Sequence, residues 1–81
     1  MKVEIYSKAE CPLCDEAKGV LEAVRRRVPF DLVEVDIEKV PALLAQYRYD
    51  IPVVFIDGQK AFKHRLEPKT LEARLRRGQG G

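Results

Sequence analysis

Residues 52–58 read "PVVFIDG", and no other stretch restricts the fold as tightly. Val53, Val54, Phe55 and Ile56 leave such a strand without a polar face. A strand apolar on both faces has to be covered on both. Proline cannot donate to a sheet ladder, so Pro52 must stand at the start of the strand. The "DGQ" that follows is a tight turn.

The rest of the chain has to supply that cover, and its patterning does. "KVEIYS" (2–7) places Val3 and Ile5 on one face of a first strand. From Pro12 to about Arg27, apolar residues fall at Leu13, Ala17, Val20, Leu21, Val24 and Val28, the spacing of an amphipathic helix. Asp15 and Glu16 lie in its first turn and Arg25, Arg26 and Arg27 in its last, matching the helix dipole. Pro12 suits the first helical position, where no N–H is needed. "FDLVEVDI" (30–37) is a second strand, and Pro41 opens a short helix with Leu43, Leu44 and Tyr47 inward. "KAFKHR" (60–65) is the antiparallel partner after the turn, and Pro68 opens a last helix carrying Leu71 and Leu75. The order is βαβαββα. A helical crossover makes the first two strands parallel, and the closing hairpin is antiparallel. The expected fold is α/β: a four-stranded mixed sheet flanked by three helices, formed by residues 1–77, with 78–81 as a flexible tail.

With 81 residues the chain has room for one domain and one core. It is 46% apolar and 35% charged, a globular balance. A formal charge of +2 is too small to argue for nucleic acid or a membrane surface, and no apolar run nears the ~20 residues of a membrane span. The arginines at 25–27 and 74–77 read as solvated helix ends. The N-terminus turns polar after six residues, without the apolar core of a signal peptide. A cytoplasmic monomer is expected.

Both cysteines lie in "SKAECPLCDEA" (7–17). Two are too few for a disulfide scaffold, and a reducing compartment favours a transient bridge. Cys11 falls at the N-cap of the first helix, where first-turn N–H groups and the helix dipole favour negative charge. A thiol there has a lowered pKa, and its thiolate attacks disulfides. Cys14, nearly one turn deeper, lies on the same side and leans toward the buried face. Cys11 is thus the catalytic nucleophile and Cys14 the resolving thiol. Lys8 should favour the thiolate and Glu10 oppose it. Other readings stand beside this one. The pair could serve only as small core residues. A zinc site needs four ligands, and His64 is the sole histidine, so metal binding would require a carboxylate or a dimer. A module that binds through Cys11, Cys14 or the Pro52 edge without turnover is the further alternative. No metal and no organic cofactor are expected. His64 reads as solvated, Tyr47 as core, and Tyr49 as a candidate groove residue.

"CPLC" after a first strand, then "VDI", a Pro-led helix, "IPVV" and "DG", resembles the small bacterial and archaeal glutaredoxin-like proteins of the thioredoxin-fold superfamily over residues 2–77. The resemblance implies a thioredoxin-like fold and thiol–disulfide exchange. It implies that Pro52 is a cis-proline facing the cysteines, and that the Ile51 backbone pairs with an extended substrate, as in strand addition. The substrate face would comprise Lys8, Pro12, Leu13, Ile51, Pro52 and Val53. A disulfide-containing protein or a small thiol would be the substrate, and glutathione or a reductase protein the electron donor. Lys8 matches the lysine that meets glutathione's glycyl carboxylate. Two departures are plain. Leu13 stands where Tyr or Phe is common, and "KAFKHRLEPKT" has no Gly-Gly turn for the γ-glutamyl end. There is no Trp, so no W-C-G-P-C.

Overall fold

Alternation along β1 (Lys2–Ser7) sorts the molecule into two sides: Val3 and Ile5 face one way and are fully buried, Glu4 and Tyr6 the other. The computed structural model of the chain describes residues 1–79. After β1 come α1 (Pro12–Arg25), β2 (Asp31–Asp36), a 3-10 turn (Ile37–Lys39), α2 (Pro41–Tyr47), β3 (Val53–Ile56), β4 (Gln59–Lys63) and α3 (Pro68–Gln79). The strands form one mixed sheet in the order β2-β1-β3-β4. β1 runs parallel to β2 and antiparallel to β3, and β3 runs antiparallel to β4. The fold is the expected α/β arrangement.

One face of the sheet carries the main core. Val3, Ile5, Val54 and Ile56 pack there with Ala17, Leu21 and Val24 of α1 and Leu71 and Leu75 of α3. On the other face Tyr47 of α2 meets Tyr6 edge-on at 5.3 Å between ring centroids, and Tyr6 stacks on Phe55 at 4.8 Å. β3 is therefore covered on both sides, but unequally. Val53, Val54 and Ile56 are buried while Phe55 is half-buried, because α2 is only two turns long.

Boundaries shift from expectation for local reasons. α1 ends at Arg25 rather than Arg27: the N–H groups of Arg27 and Val28 both reach the Val24 carbonyl at 2.9 Å, which tightens the last turn. Pro29 then turns the chain away from helix. β2 gives up Ile37 to the 3-10 turn, where the Asp36 carboxylate accepts the Glu38 N–H at 2.9 Å. β4 starts at Gln59 and stops at Lys63, since His64 has a φ of 65°. Of the expected tail 78–81, Gly78 and Gln79 belong to α3, and Gly80 and Gly81 lie outside the described residues.

The β3–β4 hairpin turns on Asp57 and Gly58, with φ of 48° and 83°. Two successive positive φ values mark the turn whose twist matches the strands. Asp57 also clasps β1: its N–H donates to the Lys2 carbonyl at 2.8 Å, and its Oδ1 accepts the Lys2 N–H at 2.9 Å. A Cβ on Gly58 would meet nothing within 4 Å, so replacement there carries only the backbone cost. Gly58→Ala is expected to lower stability by about 1 kcal/mol. Urea unfolding should show a lower midpoint at an unchanged slope.

Candidate active site

The register of β1 against β3 brings distant parts of the sequence together. Tyr6 lies opposite Val53. The ladder ends there, so the chain leaves β1 at the end of the sheet where Ile51 and Pro52 lead into β3. The loop from Lys8 to Glu10 leads into Cys11, with Glu10 at a φ of 57°. Cys11 is extended (φ −119°, ψ 99°) and caps α1. Its Sγ accepts the Cys14 N–H at 3.2 Å, and its carbonyl accepts the Asp15 N–H at 3.0 Å. A sulfur thus occupies the place where Ser, Thr, Asp or Asn usually satisfies a first-turn donor.

Cys11 and Cys14 are paired as a disulfide, with Cα atoms 5.2 Å apart, inside the roughly 4.4–6.8 Å range such bonds span. Their exposures differ. Cys11 is partly open to solvent; Cys14 is 0% exposed. Cys14 sits in a small apolar cluster with Ile37 and Ile51, against which Cys11, Tyr6, Leu43, Leu44 and Tyr47 also pack.

The Ile51–Pro52 bond is cis, and Pro52 is fully buried. Among the described residues no main-chain hydrogen bond outside the regular elements uses the Ile51 amide or carbonyl. Val53 is also buried, in register with Tyr6 on one side and Lys63 on the other. Pro12 and Leu13 are exposed on the first turn of α1. Lys8 is half-buried at a polar cleft of about 400 Å³, which it shares with Lys18 and Lys39 and with Asp15, Glu34 and Asp36. Lys18 is paired with Glu34 at 3.6 Å. The structure therefore gathers Cys11, Cys14 and Ile51, the residue bonded to Pro52, in one place, and sets Lys8 in a separate polar cleft that includes Asp15, the neighbour of Cys14.

Two residues gain importance that the sequence did not signal. Tyr6 borders the Cys14 cluster, and burial, with Glu4 and Tyr47 adding, pushes its phenol above the ordinary 10. It stays protonated at neutral pH. His64 is exposed, as expected, but its Nε2 lies 3.1 Å from the Tyr49 carbonyl. Histidine's tolerance of left-handed φ was the one available hint. The Tyr49 side chain is 83% exposed, with the Arg48 guanidinium 5.8 Å from its ring centre. No group of three or more His, Cys, Asp or Glu residues able to hold a metal forms among the described residues. No described helix is long and apolar enough to cross a membrane.

Comparison with known proteins agrees with this fold. A glutaredoxin-like protein from Dictyostelium discoideum is 30% identical over 77 residues, covering 88% of this chain and 71% of its own. An uncharacterised protein of Mycobacterium tuberculosis H37Rv is 25% identical over 85 residues, covering 99% and 88%. Among solved structures, a Xanthomonas campestris structural-genomics target (X. campestris XcR50) superposes with a TM-score of 0.79 at 24% identity, over 93% of this chain and 96% of that one. Thioredoxin 1 of Thermosipho africanus superposes at 0.73 with 16% identity, over 99% and 96%, and shares the fold. The family model for the glutaredoxin-like domain (DUF836) matches residues 2–76, and the chain belongs to that family.

Proposed function

We propose that the chain is a dithiol thiol–disulfide oxidoreductase that reduces disulfides through Cys11 and Cys14. The observation that carries the reading is the asymmetry of the pair. Cys11 is partly exposed at a helix N-cap with a main-chain N–H on its sulfur, while Cys14 is sealed behind it. Only Cys11 can meet a bulky substrate. Only Cys14 is placed to attack Cys11 afterwards without leaving its cluster.

In the reduced protein the Cys11 thiolate attacks one sulfur of a substrate disulfide. The second substrate sulfur departs as a thiolate and takes up a proton. The Cys14 thiol then loses its proton and attacks Cys11 Sγ, expelling the other substrate thiolate. Two electrons have passed to the substrate, and a Cys11–Cys14 disulfide remains. Glutathione or a reductase protein returns the electrons, and Lys8 offers its ammonium to a donor's carboxylate. Ile51 presents main-chain groups to an extended substrate segment. Exposed apolar side chains on both flanking segments, Leu13 and Tyr49, favour a polypeptide substrate. A reducing compartment such as the cytoplasm suits the cycle.

Two measurements test this together. The reduced protein should convert a model disulfide to thiols in stoichiometric amount. Alkylation of Cys11 by iodoacetamide should reach half its limiting rate below the pH of ~8.5 typical of a free thiol. A half-point at or above 8.5, with no disulfide consumed, would leave a binding module and remove the enzyme.

A further inference from the structure

His64 grips the loop before β3 at two points. Its main-chain N–H donates to the Pro52 carbonyl at 2.8 Å. Its ring Nε2 stands 3.1 Å from the Tyr49 carbonyl. A carbonyl only accepts, so this nitrogen carries the proton in either the neutral or the charged ring. The two carbonyls bracket Asp50 and Ile51. One residue at the end of β4 thus holds the segment on both sides of Ile51, whose own amide and carbonyl are free of main-chain partners outside the regular elements among the described residues.

Two further facts mark this as more than an incidental surface contact. His64 adopts a φ of 65°, where a side chain is disfavoured. Tyr49 lies in the turn from Arg48 to Asp50, whose own main-chain ties among the described residues, Arg48 N–H to the Leu44 carbonyl at 3.0 Å and Asp50 N–H to the Tyr47 carbonyl at 2.8 Å, both run back to α2 and none runs to the sheet. A segment that offers unpaired main-chain groups to an incoming strand binds more weakly the more freedom it loses on binding. We propose that His64 is a positioning residue, a latch that holds Tyr49 to Pro52 in the conformation that receives the substrate main chain. This rests on the oxidoreductase reading and assigns its polypeptide specificity to a residue that touches neither sulfur.

The latch should act on substrates that have a peptide backbone and be silent on those without one. Two variants separate the ring from the backbone. His64→Asn keeps a residue that tolerates left-handed φ but is too short to reach the Tyr49 carbonyl. His64→Gln restores a donor of similar reach at a residue less suited to that φ. Each reduced protein is mixed in single turnover with a disulfide-bridged peptide and, separately, with 2-hydroxyethyl disulfide. For His64→Asn the half-saturating peptide concentration is expected to rise about fivefold, the effect of one hydrogen bond, at an unchanged limiting rate. Its rate on 2-hydroxyethyl disulfide should match the parent protein, and His64→Gln should return to within about twofold on the peptide. If His64→Asn handles the peptide like the parent, slows both substrates alike, or is not rescued by glutamine, the latch is wrong and the oxidoreductase reading stands. A parent protein that reduces neither disulfide overturns both.

Discussion

Cys14→Ala is expected to halt the reaction halfway and leave substrate covalently bound. Cys11 can still attack, but no thiol remains to release the mixed disulfide. Intact-mass spectrometry should show an adduct equal to one half of the substrate disulfide, removed by dithiothreitol. Alanine is preferable to serine here. Cys14 is 0% exposed among Ile37 and Ile51, and a hydroxyl without a partner would add a burial cost of its own. Cys11→Ala should form no adduct and lose about 1,000-fold or more in disulfide reduction, because it removes the nucleophile itself. An adduct on the Cys11 variant instead of the Cys14 variant would reverse the assigned roles.

The second large effect concerns the helix that carries both thiols. Leu21 is 0% exposed, at the centre of the α1–sheet–α3 core. Leu21→Ala should cost about 2–5 kcal/mol, from lost burial and from a cavity that close-packed neighbours only partly fill. Domains of this size have on the order of 5–15 kcal/mol in total. The melting temperature should fall by on the order of 15 °C, measurable by circular dichroism. A loss below about 1 kcal/mol would mean that α1 is not held by this core.

Much of this was legible in the sequence, and the exceptions share a cause. α1 could be read because its apolar spacing and its proline and arginine ends are all local signals. The positions of Cys11 at the N-cap and of Cys14 nearly one turn deeper followed, since both are set by that helix. The apolar run after Pro52 marked a covered strand. The family resemblance, not the strand pattern, supplied the cis bond. Strand order was not legible: β1 lies between β2 and β3 because of pairings between segments far apart in sequence. The His64–Tyr49 bond escaped for a similar reason. Its acceptor is a backbone carbonyl, which every residue has, so no residue type could point to it. The 3-10 turn was more accessible, since Asp36 two residues before Glu38 is an ordinary capping arrangement.

The sheet divides the apolar interior into unequal bodies. Among the described residues, the side with α1 and α3 holds twelve buried residues, and the cluster around Cys14 holds three. α2, which closes the smaller side, buries none of its seven residues completely, and a helix so short has little stability of its own. The Cys11–Cys14 pair is therefore anchored to the larger core through α1 and covered on its other side by a short helix that buries little. Local opening costs least where few apolar contacts must separate. Parting α2 from the Cys11–Cys14 pair is thus expected to cost a small fraction of unfolding, while the spacing of the two cysteines along α1 is preserved.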